Sequence, residues 1–161
     1  MEDQKQQIQF TYSPEEISFC KWLSDMYFIL PPGEHLKCDG KIKLEVYDLI
    51  KEYHTGELIY TPVRSAMTKD FIIIQISKHV VRDNDDFRSP DFIYYLILWC
   101  IAVVKFGDEF LADEFALSQS IKDGKSKDNI FIGFLSMCES SPTERNSKRL
   151  ELVEQQLNNI S

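Results

Sequence analysis

The chain contains 161 residues, of which 26 are acidic and 18 are basic, giving a formal net charge of −8 at pH 7. This length suffices for one hydrophobic core, so we expect residues 1–161 to form a single domain. The acidic charge argues against nucleic acid or an anionic membrane as the main partner, because both are bound by clustered Lys and Arg.

The sequence also argues against secretion and against a membrane span. Its first ten residues, MEDQKQQIQF, lack the apolar run of a secretory signal. The longest apolar stretch, Ile93 to Val104, has twelve uncharged residues, whereas a helix that crosses a bilayer needs about 20. We therefore expect a cytoplasmic protein without membrane contact.

A first helix is predicted after a polar N-terminal segment. Ser13 provides an N-cap, Pro14 follows at the first helical position, and Glu16 completes a capping box. The helix should run to about Phe28, because prolines begin at position 31.

A second helix is predicted from about Ile42 to Tyr53, since Gly56 is a natural left-handed stop. Residues 13–56 would then form a helical lead-in. Residues 1–12 would be an N-terminal arm.

Strands are predicted in the middle of the chain, over residues 57–81. The segments 57–62 and 71–80 are rich in β-branched and aromatic residues and are joined by a polar connector. The second segment is almost entirely apolar and is expected to be central in the sheet. The acidic stretch 82–88 is expected to be a loop.

The C-terminal half, residues 89–160, is predicted to be helical. Each helix has a Ser or Asp at its start, and the first two end at glycines. The overall class is therefore α+β, with a short sheet packed against helices. The predicted helices are Ser89 to Phe106, Asp108 to Lys122, Ser126 to about Cys138, and one from Ser141 with an apolar stripe of Leu150, Val153 and Leu157.

The order of elements over residues 71–160 resembles the core of small zincin metallopeptidases. In that family a strand leads to an apolar helix that carries HExxH, followed by a glycine turn and a second helix with an "ExEADxFA" pattern. The second pattern is partly retained here, and a "P…R…L" closing helix is similar to the stretch from Pro142 through Arg149. The retained family residues are Ala112, Asp113, Phe115 and Ala116.

The resemblance implies that the zinc site has been lost. In HExxH the two His, four residues apart, share one Zn²⁺ and the Glu activates the bound water. The matching residues here are Trp99, Cys100 and Val103, and the third ligand position corresponds to Leu111. We therefore expect no zinc, no other cofactor and no metallopeptidase activity.

Other catalytic arrangements have a simpler interpretation as structure. Cys100 could be a nucleophile, but no His or cation near it in sequence would lower its pKa. Glu109 and Asp113 lie one helical turn apart, as paired catalytic carboxylates can, although such residues also stabilise a helix N-terminus.

Metal and nucleotide sites are not indicated by the remaining residues. The cysteines form no CxxC motif and are expected to be reduced and mostly buried. No glycine is followed by the Lys-Ser or Lys-Thr of a phosphate loop. The residues considered are Cys20, Cys38, Cys100 and Cys138, the scattered His35, His54 and His79, and Gly107, Gly124 and Gly133.

Charged and aromatic clusters point to the surface. The basic groups Lys41, Lys43, Lys51 and Arg145 to Arg149 are expected to be solvated. An aromatic cluster precedes the prolines, and a contiguous exposed patch of this kind would mark a protein contact. This candidate interaction surface consists of Trp22, Tyr27, Phe28 and Ile29.

These features lead to two functional hypotheses. The first is a non-catalytic subunit that associates with itself or with other proteins of an assembly, such as a ring, neck or collar in a phage particle. The Ile-, Asn-, Lys- and Phe-rich composition is similar to that of AT-rich phage genomes, and residues 1–12 would reach the next subunit. The alternative is a monomeric or dimeric decoy that binds a host or peptidase-related protein through a remnant groove.

Overall fold

The computed structural model describes residues 10–33, 35–38, 41–52 and 54–160, with side chains omitted for residues 35–38. The protein is α+β, as predicted. Its elements are α1 (Pro14–Met26), β1 (His35–Cys38), β2 (Ile42–Tyr47), β3 (Ile50–Lys51), β4 (Leu58–Ile59), β5 (Val63–Met67), β6 (Ile72–Ser77), α2 (Lys78–Asp83), a 3₁₀ turn (Asp85–Phe87), α3 (Pro90–Phe106), α4 (Glu109–Lys122), α5 (Lys127–Ser140) and α6 (Glu144–Asn159).

The main sheet has the strand order β1-β2-β6-β5. β2 and β6 are parallel, and the outer strands pair antiparallel to their neighbours. One face of the sheet is apolar because inward residues alternate along β2 and recur in β5 and β6, and α3 packs on this face. The buried residues on this face are Ile42, Leu44, Val46, Val63, Ile74 and Ile76.

The predicted second helix is wrong, because Ile42–Tyr47 is the strand β2. Ile42, Val46 and Ile50 recur at a helical spacing, but Ile42, Leu44 and Val46 also alternate with polar residues. Pairing with β6 makes the two-residue period the one that buries apolar surface. The helical lead-in 13–56 is therefore limited to α1, and Tyr53 lies outside the described residues.

The strand predictions are partly confirmed. β6 is central, as expected, but it ends at Ser77. Lys78–Asp83 forms the helix α2, which replaces the end of the predicted strand and the start of the predicted loop. Segment 57–62 contains only the short β4, whereas the supposed connector forms β5, Val63–Met67. The apolar side of β5 is defined by its register with β6, and that register is a tertiary feature.

The helices α1, α3, α4 and α5 confirm the capping predictions. The predicted start of the last helix at Ser141 is wrong, because α6 begins at Glu144 and the Thr143 hydroxyl, as N-cap, accepts from the N–H of Asn146. Ser13 and Glu16 form the complete capping box of α1. Gly107 ends α3 in the left-handed conformation, with φ 67°. No helix within the described residues is long and apolar enough to cross a membrane.

The arm prediction is wrong for its last three residues. Tyr12 is buried, and its hydroxyl donates to the carbonyl of Leu98 at 3.0 Å. Phe10 stacks edge-on against Phe106 and contacts Phe115. Residues 10–12 therefore belong to the domain, while positions 1–9 lie outside the described residues.

Candidate functional site

The four positions that the resemblance matches to the zinc site lie on α3 and α4. Cys100 is buried at 1% exposure, and Trp99, Val103 and Leu111 are half-buried. Trp99 and Val103 pack against the hydrophobic core. Cys100 thus belongs to the hydrophobic core, and Trp99 and Val103 lie at its boundary.

Cys100 is a core thiol. Burial raises the pKa of Cys100 to about 12, although a hydrogen bond with the Ser65 side chain opposes this shift. The thiol is therefore protonated at neutral pH, whereas a nucleophile requires the thiolate. Cys20 and Cys138 are also buried and form no disulfide within the described residues, and the Cys38 side chain is not described.

A buried ion pair between Asp113 and Arg149 lies beside Trp99. Arg149 Nη2 donates to Asp113 Oδ1 at 2.9 Å, and Arg149 Nε donates to Asp113 Oδ2 at 2.9 Å. The Tyr95 hydroxyl donates to the same carboxylate at 2.9 Å. Asp113 and Arg149 are only 4% and 6% exposed, so this bidentate pair joins α3, α4 and α6 inside the protein.

The environment of this pair is aromatic and largely dry. The Arg149 guanidinium lies 5.0 Å from the Trp99 ring centroid and 5.2 Å from that of Phe134. Burial raises the pKa of Asp113, and Arg149 opposes that shift. The Trp99 indole N–H also acts to lower the pKa of Asp113, although it makes no hydrogen bond of normal geometry.

Two sequence predictions fail at this pair. Arg149 was expected on a solvated basic surface, but it is buried, since it lies on the inner face of α6. Asp113 binds Arg149 instead of serving the helix N-terminus, where Asp108 accepts from the N–H groups of Phe110 and Leu111. The signal for the pair was the retained Asp113 together with an Arg in the closing helix.

Glu109 joins the same region from its edge. Its carboxylate lies 2.7 Å from Arg145 and 3.8 Å from Arg149. The two carboxylates considered as a catalytic pair are thus both occupied by arginines. This arrangement ties α4 to α6.

A groove beside the Asp113–Arg149 pair and a cleft on the sheet open to the surface. A groove of about 550 Å³ lies between α4 and α6 and includes Leu111 and Asp113 with the exposed Phe110 and Leu152. A cleft of about 600 Å³ lies on the opposite, open face of the sheet, lined by Tyr47, Glu52, His54, Arg64 and Gln75 among others.

The cleft on the open face is polar and internally bonded. The Tyr47 hydroxyl and the Gln75 amide both donate to Glu45 Oε1, at 2.8 Å and 2.9 Å. Arg64 lies 3.8 Å from Glu52. His79 pairs with Asp83 on α2 at 3.0 Å, and the His35 side chain lies outside the described part of the structure.

The residues of the candidate interaction surface are only partly exposed. Tyr27 is buried, because its hydroxyl donates to the carbonyls of Pro62 and Ser77, each at 2.8 Å. Trp22 is half-buried and packs against the core. Phe28 and Ile29 are exposed, at 37% and 70%.

Other exposed hydrophobic residues lie close in sequence to the hydrogen bond between Tyr27 and Pro62. Within the described residues, four large hydrophobic side chains are more than half exposed: Ile29 at 70%, Leu58 at 58%, Tyr60 at 54% and Met67 at 66%. The last three border or belong to β5, and the Tyr27–Pro62 hydrogen bond holds the end of α1 at the start of β5. We name Phe28, Ile29, Leu58, Tyr60 and Met67 the β5 border.

Comparison with protein-family models, with curated proteins and with solved structures gives no match for this chain. Within the part of the chain that the structure describes, no group of three His, Cys, Asp or Glu side chains is arranged to hold a metal ion.

Proposed function

We propose that the protein is a non-catalytic subunit that associates through its surface, on a metallopeptidase-like scaffold whose ligand positions have become packing residues. The single observation that carries this proposal is the β5 border, four of whose five residues are the most exposed large hydrophobic side chains of the described chain. Exposed apolar side chains that group on a surface are typical of protein contacts.

The filled ligand positions support the non-catalytic part of the proposal. A buried apolar side chain contributes about 1.5–3 kcal/mol to stability, whereas unpaired polar ligands in a dry site would cost free energy. Cys100 and the aromatic shell around Arg149 thus favour a stable scaffold over a metal site. A ring, neck or collar of a phage particle is the assembly that we propose, consistent with the Ile- and Phe-rich composition.

The proposal is tested by the native mass of the purified protein, measured by light scattering, with metal content measured by elemental analysis on the same sample. We expect an oligomer without stoichiometric metal. A particle of 18.9 kDa, the mass of one chain, at all concentrations would contradict self-association. One zinc per chain would contradict the loss of the metal site.

A second candidate is a decoy that binds another protein without cleaving it. The observation in its favour is the cleft of about 600 Å³ next to the central strand β6, with Gln75 in its wall. A monomeric native mass together with binding of an extended peptide at this cleft would favour the decoy. Gln75→Ala should then weaken peptide binding without changing the native mass.

A further inference from the structure

β5 is an edge strand with a free outer side. It pairs with β6 on one side, and no other strand of the described sheet contacts it. The N–H of Ser77 donates to the carbonyl of Pro62, and that of Thr68 donates to the carbonyl of Phe71. Even-numbered residues of this strand therefore direct their backbone groups toward β6, and Val63, Ser65 and Met67 direct theirs outward.

The outward backbone groups are available for pairing. Within the described chain, the N–H and C=O groups of Ser65 and Met67 have no backbone partner, and the Val63 carbonyl accepts only the Thr61 hydroxyl at 3.0 Å. β5 also lacks the usual protections of an edge, since it has no internal proline and its register with β6 is unbroken. Its single charge, Arg64, lies on the open face and pairs with Glu52.

We infer that β5 pairs antiparallel with β5 of a second copy of this chain, about a two-fold axis through Ser65. This inference rests on the proposed self-association and names its contact. The three outward residues are symmetric about Ser65, so Val63 of one copy would face Met67 of the other. A two-fold contact of this kind joins the two sheets into one of eight strands.

The side chains suit this register. Met67, exposed at 66%, would pack against Val63 of the other copy on the core side of the sheet. On the open face, Arg64 of each copy would lie opposite Ala66 of the other copy. The guanidinium groups of the two Arg64 side chains would therefore be diagonal neighbours and not directly opposite each other. Leu58 and Tyr60, which precede β5 in the chain, are more than half exposed and would be available to the second copy.

A lysine at the edge is the first test. Met67→Lys places a charge where Val63 of the other copy would pack, while the folded monomer keeps an exposed side chain there. We expect the native mass to fall, because the contact between the two β5 strands is lost. Ile132→Lys is the matched control, because Ile132 is a 46% exposed hydrophobic residue on α5, remote in sequence from the edge, and it should leave the mass unchanged.

Cross-linking tests the register. Residues 64 and 66 of opposite copies would form a non-hydrogen-bonded pair with Cα atoms about 4.5 Å apart, within the range that a disulfide spans. A mixture of Arg64→Cys and Ala66→Cys proteins, oxidised and mapped by peptide mass spectrometry, should yield the 64–66 disulfide between chains. Each variant alone should give no comparable 64–64 or 66–66 link.

The outcomes separate the two proposals. The 64–66 link together with loss of dimer mass in Met67→Lys supports the pairing. An oligomeric wild type that lacks the 64–66 link, or that tolerates Met67→Lys, would overturn the pairing and leave self-association standing. A wild type that is monomeric at all concentrations would overturn both.

Discussion

Arg149 shows how one side chain can hold three helices together. Its guanidinium meets Asp113 in a bidentate pair and lies over two aromatic rings, while Tyr95 satisfies the same carboxylate from α3. Removal of one partner would leave the other charge buried and unpaired. Stability should therefore depend strongly on this residue, although intact buried pairs contribute little net free energy.

We expect Arg149→Met to lower the free energy of unfolding by about 3–5 kcal/mol, because it leaves the Asp113 carboxylate uncompensated. Urea denaturation followed by circular dichroism would measure the change. Lys148→Met is the control on the same helix: the Lys148 side chain is 60% exposed and pairs with Glu151, so it should change stability by about 1 kcal/mol or less. Equal effects of the two substitutions would contradict the buried pair.

Cys100 should be unreactive in the folded protein. Its pKa is raised to about 12 by burial, and the thiolate fraction stays small until the pH approaches that value. We expect iodoacetamide to label Cys100 slowly at pH 8 in the native state and rapidly in 6 M guanidinium, as read by peptide mass spectrometry. Fast native labelling of Cys100 at pH 7 would show an activated thiol and would revive a catalytic role.

At the scale of the element, α5 is fitted closely to α3. Gly133 is a buried helical glycine, and a Cβ built on it would lie 2.3 Å from the Phe92 ring. This approach explains a glycine in mid-helix, where alanine would otherwise be favoured by about 1 kcal/mol. The position is therefore determined by packing between helices and not by helix propensity.

Gly133→Ala should destabilise the protein by about 1–3 kcal/mol, as overpacking does in closely packed cores. The cost should shrink in a Phe92→Leu background, because the smaller side chain leaves room for the new methyl group. Denaturation of the four proteins of this double-mutant cycle gives the coupling free energy. Additive effects would show that the ring does not limit this position.

At the scale of the whole molecule, the N-terminal segment divides at Phe10. Residues 10–12 are part of the core, since Tyr12 reaches the carbonyl of Leu98 and Phe10 packs between α3 and α4. Any role in contacting a neighbour therefore falls on residues 1–9. A deletion that extends beyond residue 9 removes the core side chains of Phe10 and Tyr12.

We expect a chain without residues 1–9 to keep its thermal stability and to lose the proposed contact of the arm with the next subunit. A chain without residues 1–12 should be less stable by about 3–5 kcal/mol, the cost of removing a large buried aromatic side chain. Thermal unfolding and native mass, measured on both proteins, separate the two effects. Retention of the wild-type mass by the shorter deletion would refute the role of the arm.

The sequence by itself determined the elements whose signals are local. Helix starts at Ser13, Ser89 and Ser126 follow from side chains that satisfy nearby N–H groups, and the end at Gly107 follows from its left-handed backbone. The sequence also predicts that Trp99, Cys100, Val103 and Leu111 are not metal ligands of the HExxH type, because this depends only on residue type.

Only the tertiary structure decided the features that depend on distant partners. β2 could be read with either a helical or a strand period until its register with β6 buried Ile42, Leu44 and Val46 together. Asp113 and Arg149 lie 36 residues apart, and their pairing needs α4 and α6 side by side. The free edge of β5 is likewise a property of the sheet, since a strand has an edge only relative to its neighbours.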